Sequence, residues 1–275
     1  MQIRGHDIGV CSWSLRHGGV TELVAQVRQL GLDHVHVALS PLLGTDEATR
    51  HDDVERLRAS GLKLTAGMIS FADEDYSTIA AARKTCGFVP DGTFEQRRDI
   101  ARAAATLAGQ LGLKLVTTHA GFLPSSSDPS YAQVLSRVCE VADLFTTAGL
   151  ELLLETGQET ASELLQFLND LRCRGAGVNY DPGNMILYGA GDPTDAVRIL
   201  GRHIRHVHIK DAILSDQPRM KWGTETPFGA GQVRPARLLG ALRDAGYAGP
   251  LVIEREGGDD RVRDVRTAIA TLQSA

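Results

Sequence analysis

The segment Ala148-Gly149-Leu150-Glu151-Leu152-Leu153-Leu154-Glu155 holds the unit from which this chain is built. A helix-like stretch ends, a glycine follows, and a short apolar run begins after it. A glycine just beyond a helix takes the left-handed conformation that closes the helix, and the chain then enters a strand. The run does not alternate between apolar and polar residues, which is typical of a strand buried on both faces of a parallel sheet. The segment therefore predicts the helix-to-strand joint of a parallel α/β protein.

The same joint recurs at Leu30-Gly31-Leu32, Ser60-Gly61-Leu62, Leu111-Gly112-Leu113 and Ala245-Gly246-Tyr247. Strands are predicted at Ile8–Ser12, His34–Ala38, Leu64–Met68, Leu115–His119, Glu151–Glu155, Gly177–Asp181, Ile204–Ile209 and Leu251–Glu254. Helices are predicted at Thr21–Leu30, Asp46–Ser60, Phe94–Leu111, Tyr131–Ala148, Thr160–Arg172, Pro193–Gly201, Arg234–Ala245 and Arg261–Leu272.

This alternation of strands and helices over 275 residues favours an α/β protein with one domain, residues 1–275, folded as a single (β/α)8 TIM barrel. An open, doubly wound sheet is the alternative. Such a sheet carries a glycine-rich phosphate turn after its first strand, and Cys11-Ser12-Trp13-Ser14 is not such a turn.

Composition narrows the classes of function. Apolar residues make up 43% of the chain and charged residues 23%, an ordinary globular mixture. The formal net charge of −5, without a Lys/Arg block, argues against a nucleic-acid partner. No stretch approaches about 18 uninterrupted apolar residues, and the first ten residues lack an apolar core, so neither a membrane span nor a signal peptide is expected. The four cysteines form no CxxC pair, which fits a reduced, cytoplasmic location. The sequence leaves open whether the protein forms a homo-oligomer.

Four of the predicted strands end in an acidic or imidazole side chain: Glu155, Asp181, His208 and Glu254. The carboxyl ends of the strands of a barrel form one ring, and consecutive strands place these side chains next to one another. Three carboxylates and one imidazole are the ligand set of a single divalent ion. The predominance of oxygen favours Mn²⁺, with Mg²⁺, Co²⁺ or Zn²⁺ as alternatives, over a thiolate-bound structural zinc.

Two predicted strand-to-helix connections are longer than a minimal loop. Ile69–Thr93 follows the third strand, and Asp211–Val233 follows the seventh. Both leave the carboxyl end of a strand, which is the side on which barrel enzymes build their active sites. We therefore expect both segments to lie over the mouth of the barrel.

Five motifs in the chain resemble the xylose-isomerase-like superfamily of sugar isomerases, epimerases and related lyases, which includes the AP-endonuclease-2-type barrels. They are Leu152-Leu153-Leu154-Glu155, Asn179-Tyr180-Asp181-Pro182-Gly183-Asn184, His206-Val207-His208-Ile209-Lys210-Asp211, Phe228-Gly229-Ala230-Gly231 and Val252-Ile253-Glu254. The resemblance implies a TIM barrel and a metal bound by the four strand-end residues. It also implies that the catalytic residues Glu155 and Glu254 flank a sugar or sugar-phosphate substrate.

One position departs from the pattern of the epimerases that the chain resembles. Many of them carry Asp-x-x-His after the sixth strand, where this chain has Asn184, which cannot act as a general base near neutral pH. We expect Asn184 to bind substrate. His119, at the end of the fourth strand, is a second candidate for a substrate contact or for an auxiliary metal ligand, or else a histidine bonded to backbone at the rim. His206 shares a strand face with His208 and either supports the metal or packs in the core.

Three further residues are candidates for substrate binding. Lys210 lies on the same strand face as His208, and its alternative is a structural ion pair with Glu155 or Asp181. Trp13 would offer an aromatic wall to the C–H face of a sugar, unless it is a core residue. Arg219 lies in the long segment after the seventh strand and could hold a distal hydroxyl or phosphate, unless it is a solvated loop charge.

The favoured function is a metal-dependent sugar isomerase or epimerase that acts through an enediolate. One glutamate would take a proton from the carbon beside a carbonyl, and the other would return it. The alternative is a lyase or dehydratase that acts on a keto-sugar, 3-oxo-glycoside or inosose at the same metal site. Abasic-site DNA repair and a non-catalytic sugar-binding barrel are less favoured.

Overall fold

Eight parallel strands close into a barrel in the computed structural model, which describes residues 1–173 and 175–275. The strands are β1 His6–Cys11, β2 His34–Ala38, β3 Lys63–Met68, β4 Leu115–Thr118, β5 Glu151–Glu155, β6 Ala176–Tyr180, β7 Ile204–Ile209 and β8 Leu251–Ile253. Each strand pairs with the next one along the chain, and β8 pairs with β1 to complete the ring. The predicted TIM barrel is confirmed, and the closed ring rules out an open sheet.

Over the described residues, eight helices surround the barrel, and each follows one of its strands. They are α1 Val20–Gln29, α2 Glu47–Ala59, α3 Phe94–Gln110, α4 Tyr131–Thr147, α5 Ala161–Asp170, α6 Pro193–Leu200, α7 Pro235–Asp244 and α8 Arg261–Ser274. The five glycines of the predicted helix-to-strand joints have φ between +71° and +74°. This left-handed conformation is the one that glycine adopts without steric cost, so each joint is closed as the sequence predicts.

The two long connections carry structure of their own. Ile69–Thr93 contains the helix Ile79–Thr85, and Asp211–Val233 contains the antiparallel strands Asp211–Ile213 and Thr224–Thr226. A short helix, Pro182–Tyr188, follows β6 directly. At the amino end of β1, the two-residue strand Gln2–Ile3 pairs with it in antiparallel orientation.

Strand boundaries differ from the prediction at the site. Strands β4, β6 and β8 end one residue early, so His119, Asp181 and Glu254 follow their strands instead of ending them. At Asp181 the reason is local, because its side chain accepts a hydrogen bond from the backbone N–H of Asn184 and caps the helix Pro182–Tyr188.

Most strand residues are buried, as expected for a parallel sheet packed inside a ring of helices, and β3 is the strand with the most partly exposed residues. The barrel interior also holds polar side chains near the carboxyl ends of the strands, among them His36, Thr117, Asn179 and His206. Within the described ranges, no helix has both the length and the apolar character needed to cross a bilayer.

Candidate active site

The four strand-end residues converge at one place. Glu155 ends β5, Asp181 follows β6, His208 lies in β7, and Glu254 follows β8. Each is at most 5% exposed. One ligand atom from each residue lies within 4.8 Å of those from the other three. Four neighbouring strands therefore bring the predicted ligand set together, with the geometry of a group that could share one metal ion.

The imidazole of His208 stands at the centre of this group. Its Nδ1 lies 3.3 Å from Asp181 Oδ2, 3.3 Å from Glu254 Oε2 and 3.6 Å from Glu155 Oε1. Three buried carboxylates around one ring nitrogen are costly unless a cation neutralises them. The donor set therefore fits a divalent ion that takes hard oxygen ligands and one nitrogen.

Electrostatics at the cluster follow from burial and charge. Burial raises the pKa of Glu155, but the charges of His119 and His208 outweigh it and leave this pKa below its ordinary value. Burial also opposes ionisation of Glu254, yet Lys210 and His208 hold its pKa well below the usual range. Burial raises the pKa of Asp181 to about 7. Both glutamates are therefore carboxylates near neutral pH.

Two asparagines hold the carboxylate of Glu155. Asn179 donates to Oε2 over 3.0 Å, and Asn184 donates to Oε1 over 2.9 Å. His206 contacts the Oδ1 of Asn179 through its Nδ1 at 2.8 Å, so it reaches the cluster through Asn179. His119 lies close by, with its Nε2 3.7 Å from Glu155 Oε1, and its Nδ1 has no partner among the described residues.

Trp13 and Lys210 hold the carboxylate of Glu254. The indole of Trp13 donates to Oε1 over 2.7 Å, and the ammonium of Lys210 donates to Oε2 over 3.0 Å. Lys210 also donates to Glu256 over 2.5 Å. Lys210 is buried and forms a structural ion pair, which was the alternative interpretation, but its partners are Glu254 and Glu256 and the predicted partners Glu155 and Asp181 were wrong. Burial alone would lower the pKa of Lys210, but the charges of Glu254 and Glu256 hold it well above its ordinary value.

A buried chain of hydrogen bonds supports the far side of the His208 ring. Its Nε2 lies 2.9 Å from His36 Nδ1, and His36 Nε2 lies 3.1 Å from Thr117 Oγ1, which donates to the sulfur of Met68. If Nε2 of His208 carries the proton, Nδ1 is free to face the carboxylates and a metal. Sequence analysis missed His36. The alternation His34-Val35-His36-Val37, with His36 facing the barrel interior, is the signal that could have found it.

A cavity of about 620 Å³ opens above the cluster. Glu155 and Glu254 line it, while Asp181 and His208 are not among the described residues that do. Trp13, His119 and Asn184, three of the predicted substrate-binding residues, also line it. Each long connection contributes to the wall: Ser70, Glu74 and Tyr76 come from the first, and Trp222, Gly223 and Glu225 come from the second. Both segments lie at the mouth, as predicted.

One buried carboxylate organises the connection after β7. Asp211 Oδ2 accepts hydrogen bonds from the backbone N–H groups of Gly229 and Gly231, and Oδ1 accepts from those of Ala212 and Val233. A Cβ at Gly231 would lie 2.3 Å from Asp211 Oδ1, so the turn needs glycine there. Asp211 thereby ties both ends of the segment together and supports the wall that Trp222 and Glu225 form.

Arg219 lies away from the site. Its guanidinium is 3.7 Å from Glu163 at the start of α5, and its side chain is 46% exposed. It is not among the described residues that line the cavity. Of the two readings of this residue, the geometry supports the loop charge and gives no support to a substrate contact. The sequence could not distinguish the two readings, because the path of the long loop decides where Arg219 lies and local sequence does not encode that path.

Comparisons with known proteins agree on the fold. A family model described as xylose isomerase-like TIM barrel matches residues 24–275. No curated protein matches the sequence significantly. Among solved structures, a xylose isomerase domain protein from Planctomyces limnophilus is 29% identical, with a TM-score of 0.87, and the alignment covers 99% of this chain and 96% of that one.

Two further solved structures are more distant. The probable 3-DHS dehydratase AsbF from Bacillus anthracis, described as involved in petrobactin synthesis, is 17% identical, with a TM-score of 0.71, and covers 96% of this chain and 98% of its own. D-Psicose 3-epimerase from Clostridium cellulolyticum H10, solved with D-tagatose, is also 17% identical, with a TM-score of 0.71 and coverage of 98% and 97%. At this identity the likeness concerns the fold alone.

Proposed function

The chain belongs to the xylose isomerase-like TIM-barrel family, and from that membership we propose that it is a divalent-metal-dependent sugar isomerase or epimerase. The substrate is a sugar or a sugar derivative, and the reaction passes through an enediolate. Mn²⁺ is the favoured ion, with Mg²⁺, Co²⁺ and Zn²⁺ as alternatives, because three carboxylates and one imidazole suit hard or borderline ions.

One observation carries this proposal. Of the four converging residues, the two glutamates line the cavity. Asp181 and His208 are buried and are not among the described residues that line it. Glu155 and Glu254 come from β5 and β8, which two other strands separate, so they approach a substrate from different sides. Both have a pKa below the ordinary value, which keeps them in the basic form that proton removal requires.

The residues around the two glutamates keep the pair aligned. Asn179 and Asn184 hold Glu155, and Trp13 and Lys210 hold Glu254, so little side-chain freedom remains to be lost when substrate binds. One glutamate takes the proton from the carbon beside a carbonyl, and the other, after taking up a proton from solvent, delivers that proton to the opposite face or to the neighbouring carbon. A divalent ion held by the cluster would supply Lewis-acid stabilisation of the negative charge that develops on substrate oxygens.

Proton exchange in D₂O tests the proposal. The protein is incubated with Mn²⁺ and a panel of ketoses, 3-oxo-glycosides and inososes, and the products are followed by mass spectrometry and NMR. Deuterium uptake without loss of mass is the expected result for an isomerase or epimerase. EDTA-treated protein is the control and should not catalyse exchange. Failure of every substrate to exchange would contradict the proposal.

A lyase or dehydratase is the second candidate, and Asn184 is the observation that favours it. Asn184 lies where many epimerases of the resembling group have a histidine, and here it donates to Glu155 instead of offering a base to substrate. An enediolate formed at the same site can expel a hydroxyl or a glycosidic oxygen from the next carbon. Loss of water or of an aglycone in the D₂O experiment distinguishes this reaction from epimerisation.

The proposed location is the cytoplasm. The four cysteines are free thiols, and reduced thiols persist in that compartment. Fractionation of the host cells with an antibody against the protein tests this assignment, and recovery in an extracellular fraction would contradict it.

A further inference from the structure

The cavity has a buried inner end and a more exposed outer end. The inner end is formed by Glu155, Glu254 and Asn184, each of them buried. At the outer end Tyr76 is 41% exposed, although it is a large aromatic residue. The cavity of about 620 Å³ lies in the range of pockets that hold drug-sized ligands, about 300 to 1,000 Å³. It therefore extends beyond the space around the two glutamates that a single reacting sugar ring needs.

Aromatic rings line the way from the inner end to the mouth. The ring centroid of His119, beside Glu155, lies 6.4 Å from that of Tyr76, and Tyr76 lies 6.5 Å from Trp222. Trp222 packs edge-on against the buried ring of Tyr188 at 4.6 Å, which fixes its plane. We call Tyr76, Tyr188 and Trp222 the outer aromatic wall. Such a wall offers flat apolar faces of the kind that pack against the C–H face of a sugar ring.

The charges at the outer end are all negative. Glu74, Glu225 and Glu256 line the cavity there, and no Lys or Arg is among the described residues that do. Of the cations behind this wall, Lys210 contacts Glu254 and Glu256, Arg255 contacts Glu225 and Asp264, and Arg261 donates to the backbone oxygens of Trp13 and Glu256. A phosphate or carboxylate at this end would meet like charges without a compensating cation, which is unfavourable in a partly dehydrated pocket.

Resting on the proposed function, we infer that the outer aromatic wall is a subsite for an uncharged second ring. The substrate class is then a neutral glycoside or disaccharide derivative, with its reacting ring at the two glutamates and its second sugar or aglycone against Tyr76 and Trp222. Free monosaccharides leave the wall empty. Sugar phosphates place charge against Glu74, Glu225 and Glu256.

Intrinsic fluorescence measures occupancy directly, because the chain has two tryptophans and both, Trp13 and Trp222, line the cavity. The protein is loaded with Mg²⁺, which does not quench, and titrated with glucose, glucose 6-phosphate, methyl β-glucoside, cellobiose, lactose and maltose. At least one of the disaccharides should bind about threefold to tenfold more tightly than glucose. Glucose 6-phosphate should bind about tenfold more weakly than glucose, or not at all.

Variants at the mouth separate stacking from charge. Tyr76→Ala should reduce disaccharide affinity more than monosaccharide affinity, and Tyr76→Phe should retain the wild-type preference because it keeps the ring. Ser70 is exposed at the rim, and Ser70→Lys adds the cation that the outer end lacks. It should raise affinity for glucose 6-phosphate about tenfold relative to glucose, whereas the uncharged control Ser70→Met should not.

The outcomes distinguish this inference from the proposed function. Binding of glucose 6-phosphate at least as tight as that of glucose, or no disaccharide bound more tightly than glucose, overturns the subsite. An equal loss of monosaccharide and disaccharide affinity in Tyr76→Ala overturns it as well. If the binding preferences hold and no sugar exchanges a proton in D₂O, the subsite stands and the proposed chemistry fails.

Discussion

At the scale of the residue, each oxygen of Glu254 has a partner of its own. Trp13 donates to one oxygen and Lys210 to the other, and the second oxygen also faces His208. A carboxylate held in this way keeps its direction towards the cavity and its negative charge.

Glu254→Gln removes the base and keeps an oxygen for the indole of Trp13. Metal should still bind, though more weakly, while turnover should fall by about 10² to 10⁴ or more, the contribution of a general base. Asn184→Ala should lower activity less, because Asn184 orients Glu155 and does not transfer a proton. Deuterium exchange at the substrate carbon compares the two variants. Wild-type exchange in Glu254→Gln together with lost exchange in Asn184→Ala would move the acid–base role to His119 or Lys210.

Glu159 should make the stability of the folded protein depend on pH. Burial raises the pKa of Glu159 from 4.5 to about 8, and its side chain is 6% exposed. Between these values the folded protein keeps a proton that the unfolded chain has lost, so stability falls as pH rises. Glu159→Gln removes this titration. Relative to wild type, the variant should gain stability from pH 5 to pH 8, by a few kcal/mol at most.

Thermal melts at the two pH values measure this gain. Glu47→Gln, at an exposed position on α2, is the matched control and should give the same difference from wild type at both. A pH-independent effect of Glu159→Gln would show that Glu159 ionises in the folded protein as freely as in the unfolded chain.

At the scale of the element, the glycine at each helix-to-strand joint ends the helix and sets the direction in which the chain enters the next strand. Gly149 has φ +74°, and a Cβ built there would have no heavy atom within 4 Å. Its requirement for glycine is therefore conformational and not steric. Gly240 provides the opposite case inside α7, where φ is ordinary and a Cβ likewise meets nothing within 4 Å.

Gly149→Ala should therefore destabilise the protein by about 1 to 2 kcal/mol, the cost of placing an L-residue in the left-handed region. Gly240→Ala should stabilise it by about 0.5 to 1 kcal/mol, because alanine favours a helix interior. Urea unfolding followed by circular dichroism gives both free energies. Equal effects of the two substitutions would contradict the assignment of Gly149 to a left-handed helix end.

At the scale of the whole molecule, the candidate metal cluster connects four of the eight barrel strands. Its four residues come from β5 to β8, which are neighbours in the ring. These strands are far apart in the unfolded chain, so the unfolded state offers no equivalent site. An ion that binds only the folded state stabilises it in proportion to its occupancy.

Saturating Mn²⁺ should therefore raise the melting temperature of EDTA-treated protein by about 5 to 10 °C, which corresponds to about 2.7 kcal/mol at a hundred times the Kd. Asp181→Asn should remove most of this shift, because it takes one carboxylate from the cluster. Asp52→Asn, at an exposed position on α2, should keep it. An unchanged shift in Asp181→Asn would place the ion elsewhere.

Particular residues show which features of the fold and of the site the sequence could predict. Gly31, Gly112 and Gly149 were predicted as helix ends, and all are left-handed. Glu155 and His208 were predicted at strand ends and do meet. By contrast, the interior partners of these two, Asn179 and His36, were not recognised. The alternation around His36 marks it as an interior residue, but no local pattern says which distant side chain an interior His36 or Asn179 will bond, because both partners lie on other strands.

The sequence by itself determined the alternation of strands and helices, the closed barrel and the gathering of Glu155, Asp181, His208 and Glu254. These features follow from local rules: glycine closes a helix, apolar runs form buried strands, and parallel neighbours place their carboxyl ends side by side. Tertiary structure alone decided that Lys210 pairs with Glu254 and Glu256, that Arg219 turns away to Glu163, and that the outer aromatic wall forms. Such contacts join segments distant in sequence, and they depend on the path of each long loop and on the charges it meets, which no local pattern encodes.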